Sequence, residues 1–286
     1  SYLGDDSINL HCELMPLVSK VDEKVIDTVY PYPKSSTFLE EVYTPGDRVI
    51  FVRSGDYSVI GEAKIARIEV SPRSKAVASQ TPDFFPVHST RGFTVYEVEF
   101  DRPVNFPEGS FFYVPVSSAQ GFKIVNNYFH DHRARGLRLM SSNGVVENNR
   151  FERLKSCAIA LGGEFNWWRE AGWCENIAIR NNKMIDIGWG SMASPDNYVP
   201  AVVATFARLD QYPGFYHGNR NLEITGNEIK NAPGAGILLN YCDGVKVSGN
   251  TIENVLLSKE VPGRDKGFKD PTPVWIQNSV NIEVQK

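Results

Sequence analysis

Five short stretches decide how this chain folds: Asn126-Asn127-Tyr128-Phe129, Asn148-Asn149-Arg150-Phe151, Asn181-Asn182-Lys183-Met184, Gly226-Asn227-Glu228-Ile229 and Gly249-Asn250-Thr251-Ile252. In each, an Asn preceded by Asn or Gly leads to a large apolar residue two positions on. The second residue of each unit lies at 127, 149, 182, 227 and 250, giving spacings of 22, 33, 45 and 23. A coil of about 22 residues explains the first and last spacings, and insertions of about 11 and 22 residues explain the others. Short apolar runs flank every unit. Val145-Val146, Ile177-Ala178-Ile179, Leu222-Glu223-Ile224 and Val245-Lys246-Val247 precede the Asn; Gly136-Leu137-Arg138-Leu139, Cys157-Ala158-Ile159-Ala160-Leu161 and Gly236-Ile237-Leu238-Leu239 follow it. Repeats of roughly 20–29 residues belong to leucine-rich repeats or β-solenoids. The fixed Leu pattern of the former is absent. The expected fold is therefore all-β, a right-handed parallel β-helix whose turn Asn residues stack amide on amide from coil to coil.

Upstream the composition changes. The first hundred residues contain a single Asn, Asn9, while the other 186 contain twenty. Asp47–Val52, Ala63–Val70, Phe93–Phe100 and Phe111–Val114 read as strands, several with the alternation of half-buried antiparallel pairs. Residues 13–120 are expected to form an inserted antiparallel β-barrel or sandwich. Residues 1–12 would belong to one β-helix coil and residues 121–286 to the rest, with loop insertions at about 164–174, 191–219 and 257–270. The chain opens with Ser on what reads as the middle of a structured element, so a truncated start is expected. An exposed N-terminal coil would offer a route to oligomers.

The 286 residues carry a net charge of −4, with 42 % apolar and 22 % charged residues. That composition is globular rather than disordered. It gives no sign of a membrane span or of the basic, aromatic-interleaved surface that nucleic acid requires. Cys12, Cys157, Cys174 and Cys242 are widely spaced, without a CxxC pair. Buried free thiols are expected, although one disulfide pair remains open. No cofactor or metal is implied. His130, Asp131 and His132 are residue types that bind metals, but a hydrogen-bonded turn suits their spacing better.

Gly4-Asp5-Asp6-Ser7-Ile8-Asn9-Leu10-His11, an inserted β-domain and Phe129-His130-Asp131-His132-Arg133-Ala134-Arg135-Gly136 together resemble glycoside hydrolase family 110. The order of these parts covers nearly the whole chain. More distantly, the adjacent aspartates resemble the polygalacturonase-type β-helix hydrolases. Two departures matter. Cys12 stands where the family often has Gly. The strand Cys157–Leu161 also lacks the basic pair of the polygalacturonase pattern, which favours a neutral sugar over a uronic acid.

The resemblance implies an inverting exo-α-galactosidase acting on terminal α-1,3-linked galactose, secreted or periplasmic, with a galactose-containing glycan as its partner. Inversion needs one carboxyl group to protonate the leaving oxygen and another to activate water, about 6.5–9.5 Å away. By resemblance Asp5 is the acid and Asp6 the base, with a further carboxylate expected upstream of Ser1. Strand alternation turns Ser7, Asn9 and His11 outward beside them, and Arg135 and Arg138 would face the same groove on the next coil. Arg and His supply donors to sugar hydroxyls. The aromatic insertion from Glu164 to Trp173 offers Glu164, Trp167 and Trp168 as sugar contacts, an indole face stacking on a pyranose. Packing alone is the competing explanation for these Trp residues. Asp196, Asp210, Tyr212, Tyr216 and His217 sit in the second insertion without a role that sequence can name. The alternative functions are a β-helix polysaccharide lyase and a non-catalytic carbohydrate-binding solenoid.

Overall fold

A computed structural model describes residues 5–30, 39–73, 94–107, 109–165, 168–190, 200–205, 216–259 and 269–285. The chain divides into two compact units. One comprises 1–10, 120–163 and 173–286; the other comprises 11–119 together with 164–172.

The first unit is a parallel β-helix with three sheets. In the first sheet Ile8–Leu10, Leu137–Leu139, Ile159–Leu161, Ala201–Thr205, Ala235–Asn240 and Val274–Gln277 stack in that order, all parallel. The second runs from Lys123–Val125 through Val145–Glu147, Glu175–Arg180, Asn219–Thr225 and Cys242–Ser248 to Val280–Gln285. The third joins Tyr128–His132, Arg150–Leu154, Lys183–Ile185, Glu228–Lys230 and Thr251–Glu253. Successive side chains on a strand point to opposite faces. In the first sheet Ile8, Leu137, Ile159, Val203, Ile237 and Val274 form one row at the apolar interior. The next row, pointing outward, reads Asn9, Arg138, Ala160, Ala204, Leu238 and Trp275. Its polar members are confined to the first two coils.

The recurrent Asn is a continuous ladder. Asn149 Oδ1 accepts from Asn127 Nδ2, Asn182 Oδ1 from Asn149 Nδ2, Asn227 Oδ1 from Asn182 Nδ2 and Asn250 Oδ1 from Asn227 Nδ2, all at 2.9–3.0 Å. The residue before each is left-handed: φ is 59° at Asn126, 55° at Asn148, 56° at Asn181, 64° at Gly226 and 61° at Gly249. That conformation favours Gly and tolerates Asn, so Asn-Asn and Gly-Asn are interchangeable here. Two more columns of left-handed residues mark the other corners: Asp131, Arg153, Asp186, Asn231 and Asn254, and then Asn143, Asn176, Asn221, Gly244 and Asn281. Their side chains bond along the column as well, as from Asn176 Nδ2 to Asn143 Oδ1 at 2.9 Å.

The second unit is a seven-stranded antiparallel sheet ordered Met15–Pro16, Phe111–Tyr113, Arg48–Val52, Val59–Val70, Val95–Phe100, Val25–Val29 and Ser19–Lys20. Its two edge strands are neighbours in sequence. Leu17 N donates to Ser110 O, Val18 N to Asp27 O and Thr28 Oγ1 to Pro16 O, so the stretch from Met15 to Lys20 closes the sheet into a barrel. The long strand Val59–Val70 bends at a register shift between Ile65 and Arg67 to serve both neighbours. Phe51, Phe100, Phe112, Tyr43 and Ile26 fill the interior.

Residues 164–172 of the aromatic insertion belong to this unit. Phe165 is fully buried and stacks on Tyr57, with ring centroids 4.6 Å apart. Arg169 lies 4.6 Å over the Phe111 ring, and Glu170–Ala171 pair antiparallel with Cys12–Glu13. The four cysteines are buried free thiols. Among the described residues, no helix is long and apolar enough to cross a membrane.

Candidate active site

The strand Ile8–Leu10 carries the aspartates to the outer face of the first coil. Ser7 N donates to Arg135 O and Ile8 N to Gly136 O, which places Asp6 opposite Arg135 and Ser7 opposite Gly136. Gly136 is required by close packing: a Cβ there would lie 2.6 Å from Ala158 O and 2.8 Å from Phe151. The close approach is to the following coil, which leaves the backbone of Gly136 tight against Ala158 and Phe151.

Asp6 Oδ1 accepts two hydrogen bonds from Arg135, from its backbone N at 3.1 Å and its Nε at 2.8 Å. The Asp6 side chain is 3 % exposed and that of Arg135 36 %. The carboxylate is thereby oriented, while the guanidinium reaches solvent. Asp5 is exposed, and its Oδ1 caps the backbone N of Asp6 at 2.9 Å. Asn9 is exposed and sits beside Arg138 in register, whereas Arg138, outward-pointing as alternation requires, is 94 % covered. Cys157 lies beneath this cluster. Burial pushes its thiol up to about 11, against the opposing effect of Arg135 and Arg138.

Sequence reasoning did not find the contact between Ser7 and His132. Ser7 Oγ and His132 Nε2 are 2.8 Å apart, although 125 residues separate them. His132 is buried and ends the strand Tyr128–His132 of the third sheet. Burial holds its imidazole below the ordinary histidine range; the negative charge of Asp6 opposes this and the positive charge of His130, when protonated, adds to it. His130 turns the other way, onto the Tyr128 ring and to Asp131 Oδ2 at 2.8 Å, while Arg153 grips Asp131 with two nitrogens at 2.6 Å. His130 and Asp131 thus pair with each other, while His132 turns to Ser7. Among the described residues no cluster of His, Cys, Asp or Glu is disposed to hold a metal ion.

His11, Glu164 and Trp168 belong to the second unit. His11 lies between two carboxylates, Nδ1 at 3.7 Å from Glu13 and Nε2 at 3.7 Å from Glu170. Glu164 and Glu170 exchange backbone hydrogen bonds, and Trp168 is 46 % exposed. Trp167 lies outside the described residues, as do Asp196, Asp210 and Tyr212. Trp173 is buried in the first unit, packed over Gly218 and edge-on to Tyr216. Tyr216 in turn lies under Arg220, whose Nε donates to His217 O.

Stacked parallel coils, an Asn ladder at one corner and a polar cluster on an outer sheet face define a parallel β-solenoid. Residues 108–252, just over half the chain, match the right handed beta helix region family, and the chain belongs to that family. It is also similar to alpha-1,3-galactosidase B of Phocaeicola vulgatus, 24 % identical over 298 residues that cover 98 % of this chain and 45 % of that protein. Alpha-1,3-galactosidase B of Parabacteroides distasonis is 28 % identical over 265 residues, covering 90 % of this chain and 39 % of the relative. Alpha-1,3-galactosidase A of Streptomyces avermitilis is 22 % identical, with 88 % and 37 % covered. The chain spans less than half the length of these curated relatives.

Proposed function

We propose that this chain carries the catalytic groups of a glycoside hydrolase that removes terminal α-linked galactose, with α-1,3 linkage and inversion as the finer reading. The observation that carries it is the union of Asp5, Asp6, Ser7, Asn9, Arg135 and Arg138 on the outer face of the first two coils, where the same row turns to Ala160, Ala204, Leu238 and Trp275 further along. The names of the relatives support the same substrate class.

In this reading Asp5, exposed and not held by Arg135, protonates the leaving oxygen. Asp6, oriented by Arg135, takes the proton of the attacking water. A base must be aimed and an acid must reach the glycosidic oxygen, and the two environments match those tasks. Asn9, Arg135 and Arg138 hold the sugar hydroxyls through their N–H groups. His11, Glu164, Trp167 and Trp168 are proposed as further sugar contacts on their chemistry alone. Secretion or periplasmic location belongs to the same proposal, because such glycans lie outside the cytoplasm.

The test is hydrolysis of an α-1,3-linked galactosyl disaccharide followed by NMR, which reads the anomer released. Wild type should release β-galactose first. Asp5→Asn and Asp6→Asn should each lower kcat by roughly 10²–10⁴-fold or more. A variant within tenfold of wild type removes that residue from the mechanism, and α-galactose as first product refutes inversion. An unsaturated, ultraviolet-absorbing product from an acidic polysaccharide would establish a lyase instead.

A further inference from the structure

The contact between Ser7 and His132 has a direction that the surrounding hydrogen bonds set. The backbone N–H of Ala134 donates to His132 Nδ1 at 3.2 Å. A ring nitrogen that accepts carries no proton, so in the neutral imidazole the proton sits on Nε2. Nε2–H then points at Ser7 Oγ, 2.8 Å away, and donates to it. This is the reverse of a nucleophile pair, in which the serine would donate to the imidazole. Ser7 is therefore not activated for attack, and its own O–H is turned away from the ring.

Ser7 precedes the inward-pointing Ile8, so its hydroxyl lies on the outer face shared with Asn9, one residue from Asp6. A hydroxyl whose lone pair is already engaged by a fixed donor keeps a defined orientation, and its hydrogen is available to an acceptor on that face. Sugar hydroxyls supply such acceptors.

We propose that Ser7 is a further ligand-contacting residue of the site and that His132 is its positioning residue: locked as the Nε2–H tautomer, His132 donates to Ser7 Oγ and commits the Ser7 hydroxyl hydrogen to an oxygen of the bound sugar. This rests on the galactoside reading above. The charged groups that bear on the imidazole are Asp6 from the first coil, itself held by Arg135, and His130 on its own strand. Protonation of Nδ1 would break the bond from Ala134 and release the ring from its turn. The device accordingly works only with the imidazole neutral.

The experiment uses the full 286-residue chain, with long-range ¹⁵N–¹H NMR to read the His132 tautomer and titration with methyl α-D-galactopyranoside to read affinity. The expected tautomer is Nε2–H. Ser7→Ala and His132→Leu should each weaken binding roughly 3- to 10-fold, the worth of one hydrogen bond. The double variant should be no weaker than either single, because both remove one arrangement. His132→Gln, whose amide places an N–H near Nε2, should restore affinity relative to His132→Leu and remove the fall that wild type shows as pH drops below the ordinary histidine range, where the depressed imidazole takes up its proton. A merely structural histidine would show neither the non-additivity nor this rescue. An Nδ1–H tautomer, an unaffected Ser7→Ala variant or additive losses would overturn the proposal. Methyl α-D-glucopyranoside separates the two readings. Tighter binding of the glucoside, with the same Ser7 dependence, would sink the galactose reading and leave this one standing. Galactoside binding indifferent to Ser7 would do the opposite, and binding of neither sugar would overturn both.

Discussion

Replacing Asn182 with Ala should be among the most destabilising single changes in the coils, and the size can be worked from its contacts. Its side chain is 1 % exposed and central in the ladder. Oδ1 accepts from Asn149 N at 2.9 Å and Asn149 Nδ2 at 3.0 Å; Nδ2 donates to Val146 O at 2.9 Å, Asn227 Oδ1 at 3.0 Å and Arg180 O at 3.0 Å. Alanine removes all of these and strands at least the buried Asn149 N–H and one of its amide hydrogens. At about 1–3 kcal/mol for each buried group left without a partner, the loss is roughly 2–5 kcal/mol. Asn182→Asp, nearly the same shape, should cost as much, because it turns the donor to Asn227 Oδ1 into a facing acceptor. Two controls separate burial from hydrogen-bond number. Asn127 is exposed at the first described rung, and Asn176 bonds to Asn143 on an exposed corner. Alanine at either should cost under about 1 kcal/mol. Urea unfolding followed by circular dichroism, with the slope of the transition compared across variants, measures the differences. If Asn182→Ala costs no more than Asn176→Ala, the buried ladder does not hold the coils together.

In the barrel, Arg73→Met should destabilise by about 2–4 kcal/mol, since Asp27 is fully buried and both its oxygens bind that guanidinium at 3.0 Å. The figure is held at the lower end because Arg73 is 39 % exposed. Burial pushes the Asp27 carboxyl up, but Arg73, Ser71 and Ser19 outweigh it and bring the group below the ordinary aspartate range. The barrel therefore has the full contribution above about pH 3.9 and loses it as pH falls through the lower folded value, so acid unfolding of Arg73→Met should lack this step. Gly136→Ala should lower thermal stability and disturb Asp6 and Arg135 together, because its Cβ meets Ala158 O at 2.6 Å; ¹⁵N shifts of Arg135 Nε report the second effect and an unchanged spectrum would refute it. Trp168→Ala should raise KM more than it lowers kcat if the exposed indole is a sugar platform; unchanged kinetics with a lower Tm would show that it only packs.

How much of this was readable in advance depended on the range of the interactions. The coil repeat was legible because each rung repeats one local requirement: a left-handed residue followed by an Asn that bonds to the same atom of the next rung. The inward and outward rows follow from strand alternation once the coils are aligned, which is why Ile8, Asn9 and Leu137 fall where alternation puts them. The barrel strands were visible as alternating runs, but the closure by Met15 to Lys20 was not. It depends on Ser110 arriving from 93 residues away to meet Leu17.

The site divides in the same way. Asp5 and Asp6 are adjacent in sequence and stand out as a charged pair, and Arg135 is marked by its place before Gly136. Their register, with Asp6 opposite Arg135, became fixed only when Ile8–Leu10 paired with Leu137–Leu139 across the inserted domain. His132 is the second of two histidines in the motif and is buried where His130 is exposed. Only the turn through Ala134 sets its tautomer, and only the corner between two sheets brings it to Ser7. Phe165 and Arg169 likewise look in sequence like part of a coil loop, while packing against Tyr57 and Phe111 assigns them to the barrel. Local backbone preference and side-chain periodicity act over a few residues and are written in the sequence. The partner of a buried polar or aromatic group is chosen by burial in three dimensions, where residues 125 positions apart become neighbours.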